Sequence, residues 1–345
     1  MADALQRMGE LQIREGFKMS ENTKIEWCDH SWSPWRGCTK VSAGCAHCYA
    51  ETLSKRNPAV LGEWGRGKPR VLAKNWNDPV KWNRRHKLRW EEWRQIAPEM
   101  REAGLYPPAT PKKPTFFPSL CDWLDEEVPI EWLADFIDLI FHTPNLDWLL
   151  LTKRPENWRS RINEVWKILE LPVDQQRFAE MWIKGTPPAN VWVGTSVEDQ
   201  PNAERRIPEL LEIPAVGRFL SLEPLLGPVD IRLVPDLMKS FNSSPHGWHN
   251  WLRQRIQWLI IGGESGHGAR PCMEEWIRSL VRQGKSAGVA TFVKQQGAHP
   301  TRLVTQFDVQ TDYPHVRLVQ NHPKGGDPAE WPEDLRVREF PEGLR

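Results

Sequence analysis

The run Asp147-Trp-Leu-Leu-Leu-Thr152 is short, apolar and closed by a polar residue. Such a run is typical of a strand that is buried on both faces of a parallel sheet. Similar runs recur along the chain at Thr115–Ser119, Asn190–Thr195, Arg218–Ser221, Gln257–Gly262 and Val289–Val293. Helical apolar patterns lie between them at Ile130–His142 and Met273–Ala287. Strands and helices in alternation predict a parallel sheet with right-handed crossovers.

A first strand is also predicted near His30–Trp35, which brings the total to about seven. This number favours an α/β fold of complete or partial (β/α) barrel type over an open doubly wound sheet. Two segments interrupt the alternation and are interpreted as insertions: a basic, tryptophan-rich stretch at 62–113 and a second stretch at 235–255. Met19 is an internal methionine at which the protein could begin. The predicted organisation is a flexible tail, a barrel domain and a C-terminal extension, at residues 1–20, 21–300 and 301–345.

Composition limits the classes of function. The chain has 345 residues, 39% of them hydrophobic, which permits a substantial core and favours an enzyme over a small module. Its 46 basic residues balance 45 acidic ones, so any nucleic-acid contact must be local. No segment approaches about eighteen consecutive apolar residues, so neither a membrane span nor a secretory signal is predicted. We therefore expect a cytoplasmic protein without a membrane partner, in a compartment where thiols stay reduced.

Three cysteines stand close together in the stretch 35–50, which we name the cysteine loop. They are Cys38, Cys45 and Cys48, in a C-x6-C-x2-C arrangement. Three thiolates on one loop can hold a metal centre and leave one coordination position open, as a catalytic centre requires. The pattern predicts an iron–sulfur cluster with one iron left for a small molecule.

A structural zinc site is the alternative interpretation of the same loop. Cys28, His30 and His47 are near enough in sequence to complete a tetrahedral ligand set with the three cysteines. Against zinc, no second Cys-x2-Cys or His-x3-His pair follows downstream. The two remaining cysteines, Cys121 and Cys272, are interpreted as buried thiols.

Polar side chains follow every predicted strand, and barrel folds carry their chemistry at the carboxyl ends of the strands. Glu223, which precedes a proline, and Glu264, which lies between a glycine and a serine, are the strongest candidates for catalysis. Lys294 is a third candidate. Long charged side chains at these positions would point into the barrel mouth. Polar residues are ordinary in loops, so about half of the strand-end positions need no functional explanation.

Six runs carry a resemblance to a known family: Ile25–Trp27, Trp32–Glu51, Leu149–Pro155, Val193–Glu198, Leu220–Leu225 and Ile261–Gly266. They resemble a family of phage and bacterial proteins of unassigned function that carries this three-cysteine loop and is viewed as radical-SAM-like. The resemblance covers about 22–298, broken by the two insertions. It implies a barrel enzyme of radical-SAM type.

In that enzyme class, a [4Fe–4S] cluster on Cys38, Cys45 and Cys48 would chelate S-adenosylmethionine through its fourth iron. The resemblance further implies reductive cleavage of this cofactor to a 5′-deoxyadenosyl radical that acts on a substrate. The electron would come from a reductant such as flavodoxin or ferredoxin. The resemblance does not name the substrate.

The chain departs from the wider radical-SAM superfamily, whose usual spacing is C-x3-C-x2-C and whose Gly-Gly-Glu segment follows an early strand. Here the first gap has six residues and Gly262-Gly-Glu264 follows a late strand, so Glu264 is not assigned the contact to the methionine amine. His47 stands where the superfamily often has an aromatic residue and is a candidate to flank the adenine. The other candidate cofactor contacts are Tyr49, Thr195, Ser196 and Ser221.

The stretch 66–94 has ten Lys or Arg residues against three acidic ones, together with Trp76, Trp82, Trp90 and Trp93. Cations mixed with aromatic rings can neutralise phosphates and stack on exposed bases. This mixture indicates a nucleotide or nucleic acid as the unknown substrate. The competing interpretation is a solvated helix face whose tryptophans pack on the barrel.

The sequence leaves three functions open. The first is the radical S-adenosylmethionine enzyme, and the second is a zinc-stabilised nucleic-acid-binding protein without catalysis. The third is a barrel hydrolase that uses Glu223 or Glu264. Iron and sulfide in anaerobically purified protein would support the first function, and a colourless protein with zinc would support the others.

Overall fold

Strands and helices alternate through the residues that a computed structural model of the chain describes, which are 23–168, 171–235, 247–303 and 315–344. The predicted tail at 1–20 and residues 236–246 of the second predicted insertion lie outside them. The strands are β1 (His30–Ser31), β2 (Trp35–Arg36), β3 (Val71–Leu72), β4 (Thr115–Phe117), β5 (Asp147–Thr152), β6 (Val191–Ser196), β7 (Gly217–Leu222), β8 (Trp258–Gly262), β9 (Cys272–Met273), β10 (Ala290–Gln295), β11 (Pro300–Leu303) and β12 (His315–Arg317). The helices are α1 (Tyr49–Ser54), α2 (Pro58–Leu61), α3 (Asn77–Glu102), α4 (Ile130–Phe141), α5 (Trp158–Lys167), α6 (Val173–Ile183), α7 (Gln200–Leu211), α8 (Gly247–Arg255) and α9 (Glu274–Ala287).

The main sheet has seven strands in the order β1-β4-β5-β6-β7-β8-β10, and every neighbouring pair is parallel. This spatial order is the order along the chain, without the reversal that defines a doubly wound sheet. Crossovers of one hand between strands in this order place the helices on a single face, and the twisted sheet curls around the other. Within the described residues the edge strands β1 and β10 do not pair, so the sheet is a curled half-barrel. The predicted alternation is confirmed, and the open sheet agrees with a partial (β/α) barrel.

The outer face of the half-barrel packs against the helices. α4 shows how the sequence achieves this, because its buried residues Leu133, Phe136, Ile137 and Ile140 follow the spacing of a single apolar stripe. In α8, which is part of the second predicted insertion, Trp248 and Trp251 are buried in the same core. Among the described helices, none is long and apolar enough to cross a membrane.

The inner face of the half-barrel is filled by large side chains, most of them aromatic. Two glycines make room for the rings: a Cβ atom on Gly194 would lie 2.4 Å from the ring of Phe219, and one on Gly217 would lie 2.4 Å from the ring of Trp192. The inner half of the barrel is therefore a packed core and not a pore. Its buried residues are Trp27, Cys28, Phe117, Leu149, Trp192, Phe219, Trp258, Ile260, Phe292 and Leu344.

The described part of the C-terminal extension covers the open edge of the half-barrel. The backbone N–H of Val293 in β10 donates to Val337 O, and Glu339 N donates to Thr291 O, both at 2.8 Å. Phe340 then packs on Phe292 with ring centroids 5.3 Å apart. The segment thus satisfies hydrogen-bonding groups that an edge strand would otherwise expose.

The first predicted insertion contains β3 and α3. β3 pairs with β2 in an antiparallel ladder, which ties the insertion to the start of the cysteine loop. α3 buries Trp82, whose ring stacks on His30 of β1 at 4.9 Å. Trp90 and Trp93 lie further along the helix and stack on each other at 5.6 Å. The tryptophans of this insertion thus serve both the core and the surface.

Candidate functional site

The cysteine loop lies across the carboxyl ends of the main-sheet strands. It contacts residues that follow four of them, β4, β5, β6 and β8. This is the edge at which parallel α/β folds carry their chemistry. The contacts are Tyr49 Oη to Ser119 O (2.6 Å), Arg154 Nη1 to Cys38 Sγ (3.5 Å), Ser42 Oγ to Glu198 Oε1 (2.9 Å) and His47 Nδ1 to Glu264 Oε2 (2.9 Å).

The three cysteines occupy two parts of the loop. Burial and Asp122 raise the pKa of Cys38 to about 12, and Arg154 acts against this increase. Cys45 ends a 3-10 turn, and Cys48 is the N-cap residue of α1, where burial raises its pKa. Across the four described ranges, no group of three or more His, Cys, Asp or Glu side chains is arranged to hold a metal ion. The thiols are therefore not preassembled as a ligand set in this structure.

Two further residues considered as zinc ligands, Cys28 and His30, make their contacts elsewhere, and the remaining cysteines are Cys272 and Cys121. Cys28 belongs to the packed interior, and His30 stacks on Trp82. Cys272 is buried in the helix-side core, as predicted for a structural thiol. Cys121, which is predicted as a buried thiol, is only partly buried, and burial together with the nearby Asp122 raises its pKa.

Glu264 anchors the loop to the end of β8. Its carboxylate accepts hydrogen bonds from Arg270 Nη2 at 2.5 Å and from Arg270 N at 2.9 Å, and it faces His47 Nδ1 at 2.9 Å. Burial alone would raise the pKa of Glu264, but these hydrogen bonds lower it to about 2. Arg270 also donates to Ala43 O at 3.0 Å. A carboxylate this acidic stays ionised at neutral pH and suits anchoring better than general acid or base catalysis.

Glu198, which follows β6, lies fully buried beneath the loop. Its carboxylate accepts from Arg206 Nη1 at 2.6 Å and from Ser42 Oγ at 2.9 Å, and Lys153 Nζ lies 3.4 Å away. A Cβ atom on Gly44 would lie 2.4 Å from Glu198 Oε1, so the loop backbone packs directly on the carboxylate. Glu198 belongs to the polar strand-end residues but not to the catalytic candidates predicted from the sequence. Its signal is its position two residues after the end of β6.

Glu223 and Lys294 form an ion pair at the mouth of the half-barrel, which we define as the inner face at the carboxyl ends of the strands. Lys294 Nζ lies 2.6 Å from Glu223 Oε1, and the side chains are 22% and 19% exposed. Gln295 Nε2 donates to the same oxygen at 3.3 Å. Lys294 lies at a register shift of β10 between Val293 and Gln295, two residues after the interior residue Phe292.

Three small polar residues are predicted as cofactor contacts, and they lie on different faces of the sheet. Strand alternation places Ser196 and Ser221 on the inner face, and Ser196 Oγ accepts from Lys153 Nζ at 2.7 Å. Thr195 lies on the helix side, is fully buried, and donates to Thr152 O at 2.9 Å. The structure thus does not bring Thr195 to the mouth.

A buried network of charges holds the first cysteine of the loop. The residues of this network are not among the site residues predicted from the sequence. Arg154 donates to Asp122 Oδ2 at 2.9 Å and to Thr39 O. Arg70 donates to Asp125 Oδ2 at 2.9 Å and to Thr39 Oγ1 at 2.7 Å. The contact of Arg154 with the loop has a signal in the sequence, because Arg154 lies in the polar run that follows β5. Arg70 lies in the insertion, where nothing in the sequence indicates it.

Comparison with known proteins gives one match. The family model described as protein of unknown function (DUF5131) matches residues 22–313, a range that includes the cysteine loop and the main sheet. No curated protein and no solved structure matches the chain. The match covers well over half of the 345 residues. The chain therefore belongs to the DUF5131 family of proteins of unknown function.

Proposed function

We propose that the chain is a radical S-adenosylmethionine enzyme in which Cys38, Cys45 and Cys48 bind a [4Fe–4S] cluster. The observation that supports this most is the position of the cysteine loop over the carboxyl ends of four parallel strands. Three thiolates leave one iron without a protein ligand, and S-adenosylmethionine would take that position. Reduced by a flavodoxin or ferredoxin, such a cluster supplies the electron for reductive cleavage of S-adenosylmethionine.

Three cations lie beside the cysteine loop, and each also faces a carboxylate. Three thiolates carry negative charge into a partly buried site, which requires compensation by cations. Arg154 Nη1 lies 3.5 Å from Cys38 Sγ, and the charge of Lys153 acts on Cys48. Arg270 donates to the loop backbone. The donor set suits a cluster, and binding would have to deprotonate the thiols, whose pKa burial raises at Cys38 and Cys48, and close them around the metal.

The mouth offers groups for the methionine end of the cofactor, which carries an amine and a carboxylate. In our proposal Lys294 contacts the carboxylate and Glu223 accepts a hydrogen bond from the amine, because their existing pair presents a cation and an acceptor together. Ser196 and Ser221 lie on the same inner face, where both are buried, and would contact the cofactor only after the mouth rearranges. The aromatic interior beneath them excludes water from the bound molecule.

A nucleic acid is the partner class that we propose for the substrate. One flank of α3 carries Lys87, Trp90, Arg94 and Arg101, whose spacing places them along one line of the helix. Trp90 is 36% exposed, and its other side is supported by stacking on Trp93. A supported ring between cations is the arrangement that stacks on a base while the cations contact phosphates.

The nucleic-acid proposal is tested by a fluorescence titration with single-stranded oligonucleotides at two salt concentrations. Trp90→Ala and Arg94→Glu should each weaken binding about tenfold, and higher salt should weaken binding by the wild type. Arg177→Glu, an exposed cation on α6, is the matched control and should change little. Equal effects of the α3 and α6 variants, or no binding at low salt, would show that this flank of α3 does not bind nucleic acid.

One observation favours the zinc alternative. His47 presents Nδ1 to the ionised Glu264 at 2.9 Å, which leaves Nε2 for a metal. A carboxylate behind a histidine is the usual arrangement at zinc ligands. The loop could then bind zinc through its three cysteines and His47.

The hydrolase alternative has less support. Glu264 is held by Arg270 and Glu223 by Lys294, so each candidate carboxylate is engaged with its own cation. A general acid would need a raised pKa, whereas the pKa of Glu264 falls to about 2 against the effect of burial.

Anaerobic reconstitution followed by iron, sulfide and zinc analysis separates these functions. We expect about four irons and four sulfides per chain. Alanine at Cys38, Cys45 or Cys48 should abolish them, and Cys272→Ala is the matched control that should retain them. Zinc that is lost in His47→Ala would favour the zinc site and contradict the proposal.

A further inference from the structure

We propose that Arg154 is a positioning residue for Cys38: it fixes this arm of the cysteine loop and keeps a permanent positive charge beside the sulfur. The part that concerns the sulfur as a cluster ligand rests on the proposed function. The part that concerns the fixed loop does not, because it follows from contacts within the chain.

Arg154 is itself rigidly held at the end of β5. Its side chain is only 3% exposed and donates through Nη1 to Asp122 Oδ2 at 2.9 Å. Asp122 in turn accepts from Thr152 Oγ1 at 2.6 Å and from Lys153 N at 2.9 Å. The guanidinium is therefore fixed relative to the strand, and its Nη1 lies 3.5 Å from Cys38 Sγ.

The residue after Cys38 is held from two sides. Arg154 Nη2 donates to Thr39 O, and Arg70 Nη2 donates to Thr39 Oγ1 at 2.7 Å. Arg70 is 1% exposed and pairs with the fully buried Asp125. On the other side of the arm, Gly65 N donates to Cys38 O at 2.9 Å. Two buried arginines thus act on the backbone and the side chain of a single loop residue.

Burying these two arginine–carboxylate pairs costs desolvation free energy, so the arrangement fits a role in positioning better than a role in stability. Buried ion pairs contribute little net stability compared with apolar packing, because desolvation opposes their attraction. Arginine is suited to the task, since its planar fork reaches Asp122, Thr39 and Cys38 together and it never loses its charge. A fixed positive charge favours the more negative, reduced form of a neighbouring redox centre. Loss of Arg154 should therefore lower the reduction potential.

Hydrogen exchange on the metal-free protein tests the positioning directly, with the Gly65 amide as the reporter of the Cys38 arm. Exchange at Gly65 should rise about tenfold or more in Arg154→Met, because charge-assisted hydrogen bonds to the arm are lost. Arg154→Lys keeps the charge but not the fork and should also raise it, so a poorly folding Met variant does not end the test. Arg161→Met is the matched control, a buried arginine that contacts Val128 O and Glu164 instead.

Unchanged exchange at Gly65 in both Arg154 variants would overturn the positioning role. In reconstituted protein, the reduction potential measured by a redox titration should be more negative in Arg154→Met than in wild type, and Arg154→Lys should restore it. Equal potentials in all three proteins would overturn the electrostatic role. If wild-type protein binds no iron, the proposed function fails while the exchange measurement still decides whether Arg154 positions the loop.

Discussion

Replacement of Glu264 by glutamine removes the charge that ties the cysteine loop to the end of β8. Burial works against ionisation of this carboxyl, yet the hydrogen bonds from Arg270 and His47 lower its pKa from 4.5 to about 2. The carboxylate is 5% exposed, and Arg270 continues to the loop backbone at Ala43 O. The substitution therefore tests whether the loop is held in place by charge.

The size of the effect follows from the pKa. A fall from 4.5 to about 2 corresponds to roughly 3 kcal/mol in favour of the folded state when the group is ionised. His47 and Arg270 are 43% and 29% exposed, so solvent screens part of this energy. We expect Glu264→Gln to lower the free energy of unfolding by about 2 kcal/mol at pH 7.

The pH dependence has a definite sign. The folded pKa lies below the unfolded one, so the stabilisation is complete above about pH 4.5 and is lost as the pH falls toward about 2. Urea unfolding of wild type and variant at pH 7 and pH 3 measures this, and the difference between the proteins should shrink at pH 3. Glu180→Gln, which removes an exposed pair with Lys184, is the control and should cost less than about 0.5 kcal/mol. A loss that is the same at both pH values, or no loss at pH 7, would show that the charge of Glu264 does not hold the loop.

Two further predictions concern the mouth and the loop. Lys294→Met and Glu223→Gln should keep the iron of the wild type but weaken binding of S-adenosylmethionine at least tenfold by calorimetry, about 1.4 kcal/mol or more. Wild-type affinity in both variants would remove the ion pair from the cofactor site. Gly44→Ala should lower the free energy of unfolding by about 1 to 3 kcal/mol, because the new methyl group meets the buried carboxylate of Glu198 at 2.4 Å. An unchanged melting temperature would show that the loop does not pack on Glu198.

Most strands of the main sheet could be predicted from the sequence because each is a short apolar run that ends in polar residues, as 147–152 shows, whereas the short strands of the two smaller sheets could not. The face of each side chain could not. In β6 every residue is buried, so the two-residue alternation that separates Thr195 from Ser196 leaves no trace in hydrophobicity. For this reason the sequence predicts Thr195 as a cofactor contact, although its hydroxyl donates a hydrogen bond to Thr152 O on the helix side.

The cysteines could be predicted as a unit because they are close in sequence, whereas the residues that hold them are not. Arg154 is 116 positions from Cys38, and Ser42 is 156 positions from Glu198. No local pattern records such contacts, since each depends on how the loop folds back over the strand ends. The role of Arg70 was especially hard to predict, because the sequence around it indicates a peripheral insertion.

The most direct test of the central claim is the fate of S-adenosylmethionine in the presence of reduced, reconstituted protein without oxygen. We expect formation of 5′-deoxyadenosine and methionine in equal amounts, and none with the Cys38→Ala variant. Iron-loaded, reduced protein that leaves S-adenosylmethionine intact would contradict it.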